Sequence, residues 1–191
     1  MKNKGANRRN RIVFAALFAA LIAVSNFIQF PTPIGVPIVL KNMFVVLSGT
    51  VLGGFYGCLA VLILTACGII GIPVFVIPGG IGVFGTPLGG YILGYTVSSL
   101  CAGLISGIPQ TAGKTFTLLP FIRLCIASFL GFAIILACGS FYIMVLMQMT
   151  LKAAFAAGTV PFVIGDLIKL AISVPLAHSL RPIAARYING K

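Results

Sequence analysis

Apolar residues in this chain run in long unbroken stretches. They show neither the strict alternation of a half-buried strand nor the narrow stripe of a soluble helix. Six stretches stand out, at residues 12–30, 38–52, 56–72, 87–106, 118–147 and 160–177. Pro31 and Pro33 close the first, Pro73 follows the third, and Arg181-Pro182 mark the end of the last. Gly53, Gly54 and Gly57 predict a tight turn between the second and third. A bilayer core is crossed by about 20 apolar residues. The pattern therefore predicts an all-α membrane protein of six transmembrane helices, built as a single integral membrane domain over residues 1–191. The fifth stretch is long enough to tilt or to extend past the bilayer.

Composition agrees with a lipid environment. The chain is 60% hydrophobic and 7% charged, against about 25% charged residues in soluble domains. A soluble chain this short has too little interior for so much apolar side chain. A cleavable leader is not expected at the N-terminus, because the apolar run continues past Ala23-Val24-Ser25 to Phe30.

Charge then orients the helices. Thirteen Lys and Arg face one acid, Asp166, for a net charge of +12. Lys2, Lys4, Arg8, Arg9 and Arg11 precede the first stretch, within a basic segment at 1–11. Arg181, Arg186 and Lys191 follow the last. Flanking clusters of this kind are topology signals, not a nucleic-acid-binding face. With six spans, the positive-inside rule places both termini in the cytosol. The turn at 53–57 and residues 107–117, with Lys114 and nearby Arg123, share that side. The connections 31–37, 73–86 and 149–159 face outward.

Catalytic and metal chemistry find little material. The five cysteines, Cys58, Cys67, Cys101, Cys125 and Cys138, form no C-x-x-C pair and lie in apolar stretches, as small packing residues do. His178 is the single histidine and reads as interfacial, so no metal site is expected. There is no nucleophile–His–acid set, no second carboxylate for acid–base work and no phosphate-binding loop. An enzyme is not expected, and the chain has no means of hydrolysing ATP itself. A scaffold without ligand would tolerate loss of both intramembrane charges.

Those charges are Asp166 and Lys169, three apart and so on one helical face, near the outer end of the last stretch. Charge inside a membrane segment is costly and marks a site or a buried pair. A second element is the glycine-rich run with Gly79, Gly80 and Gly82, leading to Pro87, Gly89, Gly90 and Tyr91. Glycine lets backbone approach a ligand, Pro87 suits a first helical turn, and Tyr91 offers a flat ring with a hydroxyl. Lys41 and Asn42 open the second stretch. Lys41 either snorkels to the interface or reaches into the site. Ala16 and Ala20 belong to a small-residue surface on the first helix that suits close packing, either internal or against another protein.

On these residues the chain resembles the BioY family, the biotin-specific substrate-binding (S) components of energy-coupling factor (ECF) transporters. The likeness covers about Phe14 to Pro182. It is carried by Ser48-Gly49 through Gly53, Gly57 and Gly68-Ile-Ile-Gly71-Ile-Pro73-Val-Phe75; by Gly79-Gly80-x-Gly82 through Pro87, Gly89, Gly90 and Tyr91; and by Pro161-Phe162, Gly165-Asp166 and Lys169. The resemblance implies a six-helix S-component bundle in a bacterial cytoplasmic membrane. It would capture biotin from outside and dock, through Ala16 and Ala20, on the membrane coupling protein EcfT with two ATPase subunits. Asp166 would accept ureido N–H bonds, Tyr91 and Phe162 would pack the bicycle, and Lys169 or Lys41 would meet the carboxylate. Two positions depart from the family pattern, Leu88 for its usual Thr and Lys41 for its frequent Gln. They leave room for another small anionic cofactor precursor such as lipoate. A solitary biotin carrier is the other reading.

Overall fold

The structure is a computed structural model that describes residues 4–30, 38–75, 80–109 and 118–189. Gly79, Lys114 and the connection at 31–37 lie outside them. Seven helices follow in chain order: α1 (Lys4–Ser25), α2 (Lys41–Leu52), α3 (Gly54–Ile69), α4 (Leu88–Ser106), α5 (Leu118–Leu146), α6 (Leu151–Gly158) and α7 (Val160–Asn189). A short 3₁₀ helix, Ile81–Gly85, precedes α4. Two-residue strands β1 (Gln29–Phe30) and β2 (Ile38–Val39) pair antiparallel. By length and hydropathy α4, α5 and α7 can cross a bilayer, while α2 and α3 are shorter apolar helices.

Four boundaries differ from the sequence expectation, the first being the start of α1, at Lys4 and not Ile12. Helix α1 stops at Ser25, short of Phe30, because the chain tightens there. Asn26 N–H donates to Ala23 O and Phe27 N–H to Val24 O, each three residues back. The connection expected at 149–159 contains α6. Thr150 caps it by accepting from Ala153 N–H, and Ala154 and Gly158 are buried. Helix α7 does not end near Ala177 but runs through Pro175 and Pro182 to Asn189. Its last turns are buried at Ala184, Ala185 and Ile188, and this tertiary packing outweighs the usual helix-stopping effect of proline.

Helix α2 is the centre of the bundle, touching α1, α3, α4, α5 and α7. Ten of its twelve residues are buried, the pattern of a helix enclosed on all sides. Close approach explains its glycine. A Cβ on Gly49 would lie 2.2 Å from Ser99 O, a backbone atom of α4. Gly53, with φ of 86°, makes the sharp turn into α3, and Gly57 then packs on Gly49.

The two ends of the bundle are distinct. At one, Asn10 Nδ2 donates to Tyr187 O at 2.9 Å, joining the start of α1 to the end of α7. Arg181 lies at that end too. Its guanidinium donates to Ser106 O, Gly107 O and Ile108 O at 2.9, 3.1 and 3.2 Å, and to Thr50 O. At the opposite end stand the starts of α2, α4 and α7, the 3₁₀ helix and α6. The large apolar side chains exposed on α5 and α7, such as Phe129, Phe141, Ile164 and Leu167, suit a lipid surround.

Candidate functional site

Lys41, Asp166 and Lys169, the three deeply buried charged residues among those described, lie at that second end. Lys169 Nζ lies 2.5 Å from Asp166 Oδ1. The two carboxylate and ammonium groups are nearly sealed from solvent, with Asp166 4% and Lys169 3% exposed. Helical spacing brings them together, and Lys169 also donates to Val39 O on β2 at 3.2 Å. Asn42, on the first turn of α2, stands beside the same carboxylate. Asp166 Oδ2 accepts no hydrogen bond among the described residues. A buried carboxylate oxygen with no donor is ready to accept one from a ligand.

Lys41 opens α2 and points inward. It is 4% exposed, so it does not snorkel to an interface. Its ammonium lies 5.1 Å from the centre of the Tyr95 ring and 5.6 Å from that of Phe75. Phe75 is held there by the glycine beneath it, since a Cβ on Gly68 would meet the Phe75 ring at 2.1 Å. Gly68 O in turn accepts from Gly80 N–H at 2.7 Å, drawing the chain after α3 back over its end. Gly80 holds φ of 105° at that point.

Tyr91 and Phe162 meet edge to face, ring centres 6.2 Å apart. The Tyr91 hydroxyl donates to Gly158 O at 2.6 Å, so it fastens α6. Ser140 and Thr159 hydroxyls meet at 2.7 Å and fasten the same helix end to α5.

The glycine-rich approach to α4 serves packing first. A Cβ on Gly90 would lie 2.1 Å from Tyr142 Cβ, and one on Gly89 would lie 2.9 Å from Phe84 Cα. The Tyr142 hydroxyl donates to Phe84 O. Pro87 immediately precedes α4, where Thr86 takes up N–H groups: Gly89 N–H donates to Thr86 O and Leu88 N–H to Thr86 Oγ1. Gly82 is exposed with open space around it. The structure thus brings Asp166, Lys169, Asn42, Lys41, Tyr91 and Phe162 to one end, with Gly80 on the covering segment.

Between α5, α6 and α7 an apolar groove of about 420 Å³, open on its outer side, is lined by Phe132, Leu136, Phe155 and Leu167 among others, and Asp166 is its one charged wall residue. Tyr95 was not singled out from the sequence, and Phe75 was named only within the family motif, not as a site residue. Tyr95 stands one turn after Tyr91 on the same helical face, which is the signal that points to it. On α1, Ala16 and Ala20 are exposed beside Val13, Leu17 and Val24, an outward face and not an internal seam.

The chain as a whole is similar to known proteins. The family model of the BioY family matches residues 1–186. The chain belongs to the BioY family. A biotin transporter BioY of Thermotoga maritima is 34% identical over 172 residues, covering 90% of this chain and 95% of that one. The biotin transporter BioY of Rhodobacter capsulatus is 32% identical over 177 residues, covering 88% and 92%. The crystal structure of the S-component for biotin from an ECF-type ABC transporter superposes with a TM-score of 0.75 at 25% identity, covering 95% of this chain and 94% of that one. BioY relatives are transporters, so the family's work is carrying a solute and not catalysis.

Proposed function

We propose that this chain is the biotin-binding S component of an ECF-type vitamin importer in a bacterial cytoplasmic membrane. The observation that carries the reading is the buried Asp166 carboxylate, held by Lys169 and left with an open acceptor oxygen in a BioY-family bundle. Biotin presents a ureido ring with two N–H donors on an apolar bicycle. Asp166 accepts a ureido N–H, a charge-assisted bond contributing about 1.5–3 kcal/mol. Lys169 fixes the carboxylate, and Tyr91 and Phe162 pack the rings.

The rest of the proposal concerns the membrane and the partners. Six segments cross it, α1 to α5 and α7, with both termini cytosolic and the Asp166 end outward. The basic flanks of α1 and α7 support that orientation. An EcfT coupling protein with two ATPase subunits drives inward delivery. The exposed Ala16 and Ala20 face supports docking of such a helix-rich partner, and favours it over a solitary carrier.

Equilibrium binding of biotin to the purified protein tests the substrate, with Asp166→Asn alongside. Tight binding by the wild type and at least tenfold weaker binding by the variant are expected. Full affinity in the variant removes Asp166 from the site. A folded wild type that ignores biotin but takes lipoate reassigns the substrate. Co-purification with coexpressed coupling subunits, lost in Ala16→Trp/Ala20→Trp, tests the docking face.

A further inference from the structure

Charge bookkeeping at the site leaves a cation without a partner. The chain has one acidic side chain, Asp166, and Lys169 occupies it at 2.5 Å. Lys41 is as deeply buried as that pair, and no carboxylate meets it among the described residues. Two aromatic faces stand near its ammonium instead. Cation–π contact offsets only part of the cost of burying an ammonium. Lys41, Lys169 and Asp166 together carry a surplus of one positive charge, which a monoanion cancels.

We propose that Lys41 is the receptor for the ligand's carboxylate and makes this chain selective for a free acid over its neutral ester or amide. This rests on the biotin reading above and deepens it. The two lysines are separated by geometry. Lys169 is spent on Asp166 and on Val39 O, so it orients the acceptor. Lys41 has no acid of its own. Asn42, its chain neighbour, stands at Asp166, so the first turn of α2 lies between the two poles. A ligand with N–H donors at one end and a carboxylate at the other spans them. Phe75 and Tyr95 wall the anionic end and exclude the water that would screen it.

The test compares biotin with biotin methyl ester by equilibrium binding to the full-length protein in detergent, wild type beside Lys41→Gln and Lys41→Arg. The wild type is expected to prefer the acid by roughly ten- to a hundredfold, the worth of one charge-assisted hydrogen bond. Lys41→Gln should bring acid and ester within about threefold of each other mainly by weakening the acid, and Lys41→Arg should keep the preference. A Gln variant with undiminished preference overturns the inference, because the carboxylate is then read elsewhere. A wild type that binds both ligands alike overturns it without touching the biotin reading, whatever the variants do. A folded wild type that binds neither overturns both.

Discussion

Arg181 on α7 donates to Ser106 O at the end of α4 and, with its other amino group, to Thr50 O near the end of α2. One guanidinium thus joins three helices at the end of the bundle remote from Asp166. Its charge also suits the negative ends of two helix dipoles.

Arg181→Leu should therefore loosen that end without disturbing ligand contacts. Removing a charged donor from carbonyls costs about 1.5–3 kcal/mol. That corresponds to a fall of roughly 3–12 °C in melting temperature for a chain of this size. Thermal unfolding in detergent gives the first value. Biotin affinity, measured well below the melting point, should stay within about twofold.

The Asp166–Lys169 pair predicts a non-additive cycle. Lys169→Met strands a buried carboxylate and should destabilise by about 3–5 kcal/mol. Asp166→Asn strands the Lys169 ammonium but should cost less, because the amide oxygen and Val39 O can still accept from it. The double variant Asp166→Asn/Lys169→Met should recover most of the stability lost in Lys169→Met. Biotin binding should not return with it. Unfolding and titration on the four proteins separate the two effects.

Tyr91→Phe deletes the hydroxyl that fastens α6 and keeps the ring against Phe162. About 1 kcal/mol of stability should go, concentrated at α6. Hydrogen exchange should speed up in residues 151–158 and remain unchanged in α2.

Gly49→Ala puts a methyl group where Ser99 backbone already is. The carbonyl cannot turn aside as a side chain could. Overpacking of this kind costs about 1–3 kcal/mol or more. The expected outcome is a lower yield of monodisperse protein in size-exclusion chromatography, with Gly82→Ala as the harmless control, since Gly82 has open space around it.

Much of this was legible in the sequence, and the exceptions have physical causes. That Asp166 and Lys169 form a buried pair is legible because helical spacing and the cost of membrane charge are local facts. The apolar stretches marked five helices to within a few residues, α2 through α5 and the start of α7. Helix α6 escaped because an eight-residue alanine-rich helix is not a long apolar run. The far half of α7 escaped because Pro182 is a stop signal in isolation. Contacts with the starts of α1 and α5 and the ends of α2 and α4 hold it there. The direction of Lys41 was undecidable in the sequence, since snorkelling and inward pointing differ by where Tyr95 and Phe75 stand. The glycines before α4 suggested a ligand cradle, yet Gly89 and Gly90 are explained by the neighbours that a Cβ would strike.

The burial of α2 has a consequence for how the protein is made. Twelve residues of helix span about 18 Å, well short of a bilayer core of about 30 Å. Its walls are other helices, one of them α7, which the ribosome makes well after it. A nascent α2 therefore has neither the length to lodge in lipid by itself nor the surroundings that later shelter Lys41. Insertion as half of a hairpin with α3, bent at Gly53, is the expected outcome, with α2 only partly sheltered until α7 is made. Completion of the fold thus hinges on α7, and truncations that spare α1 to α6 should still leave an unfinished, protease-sensitive protein.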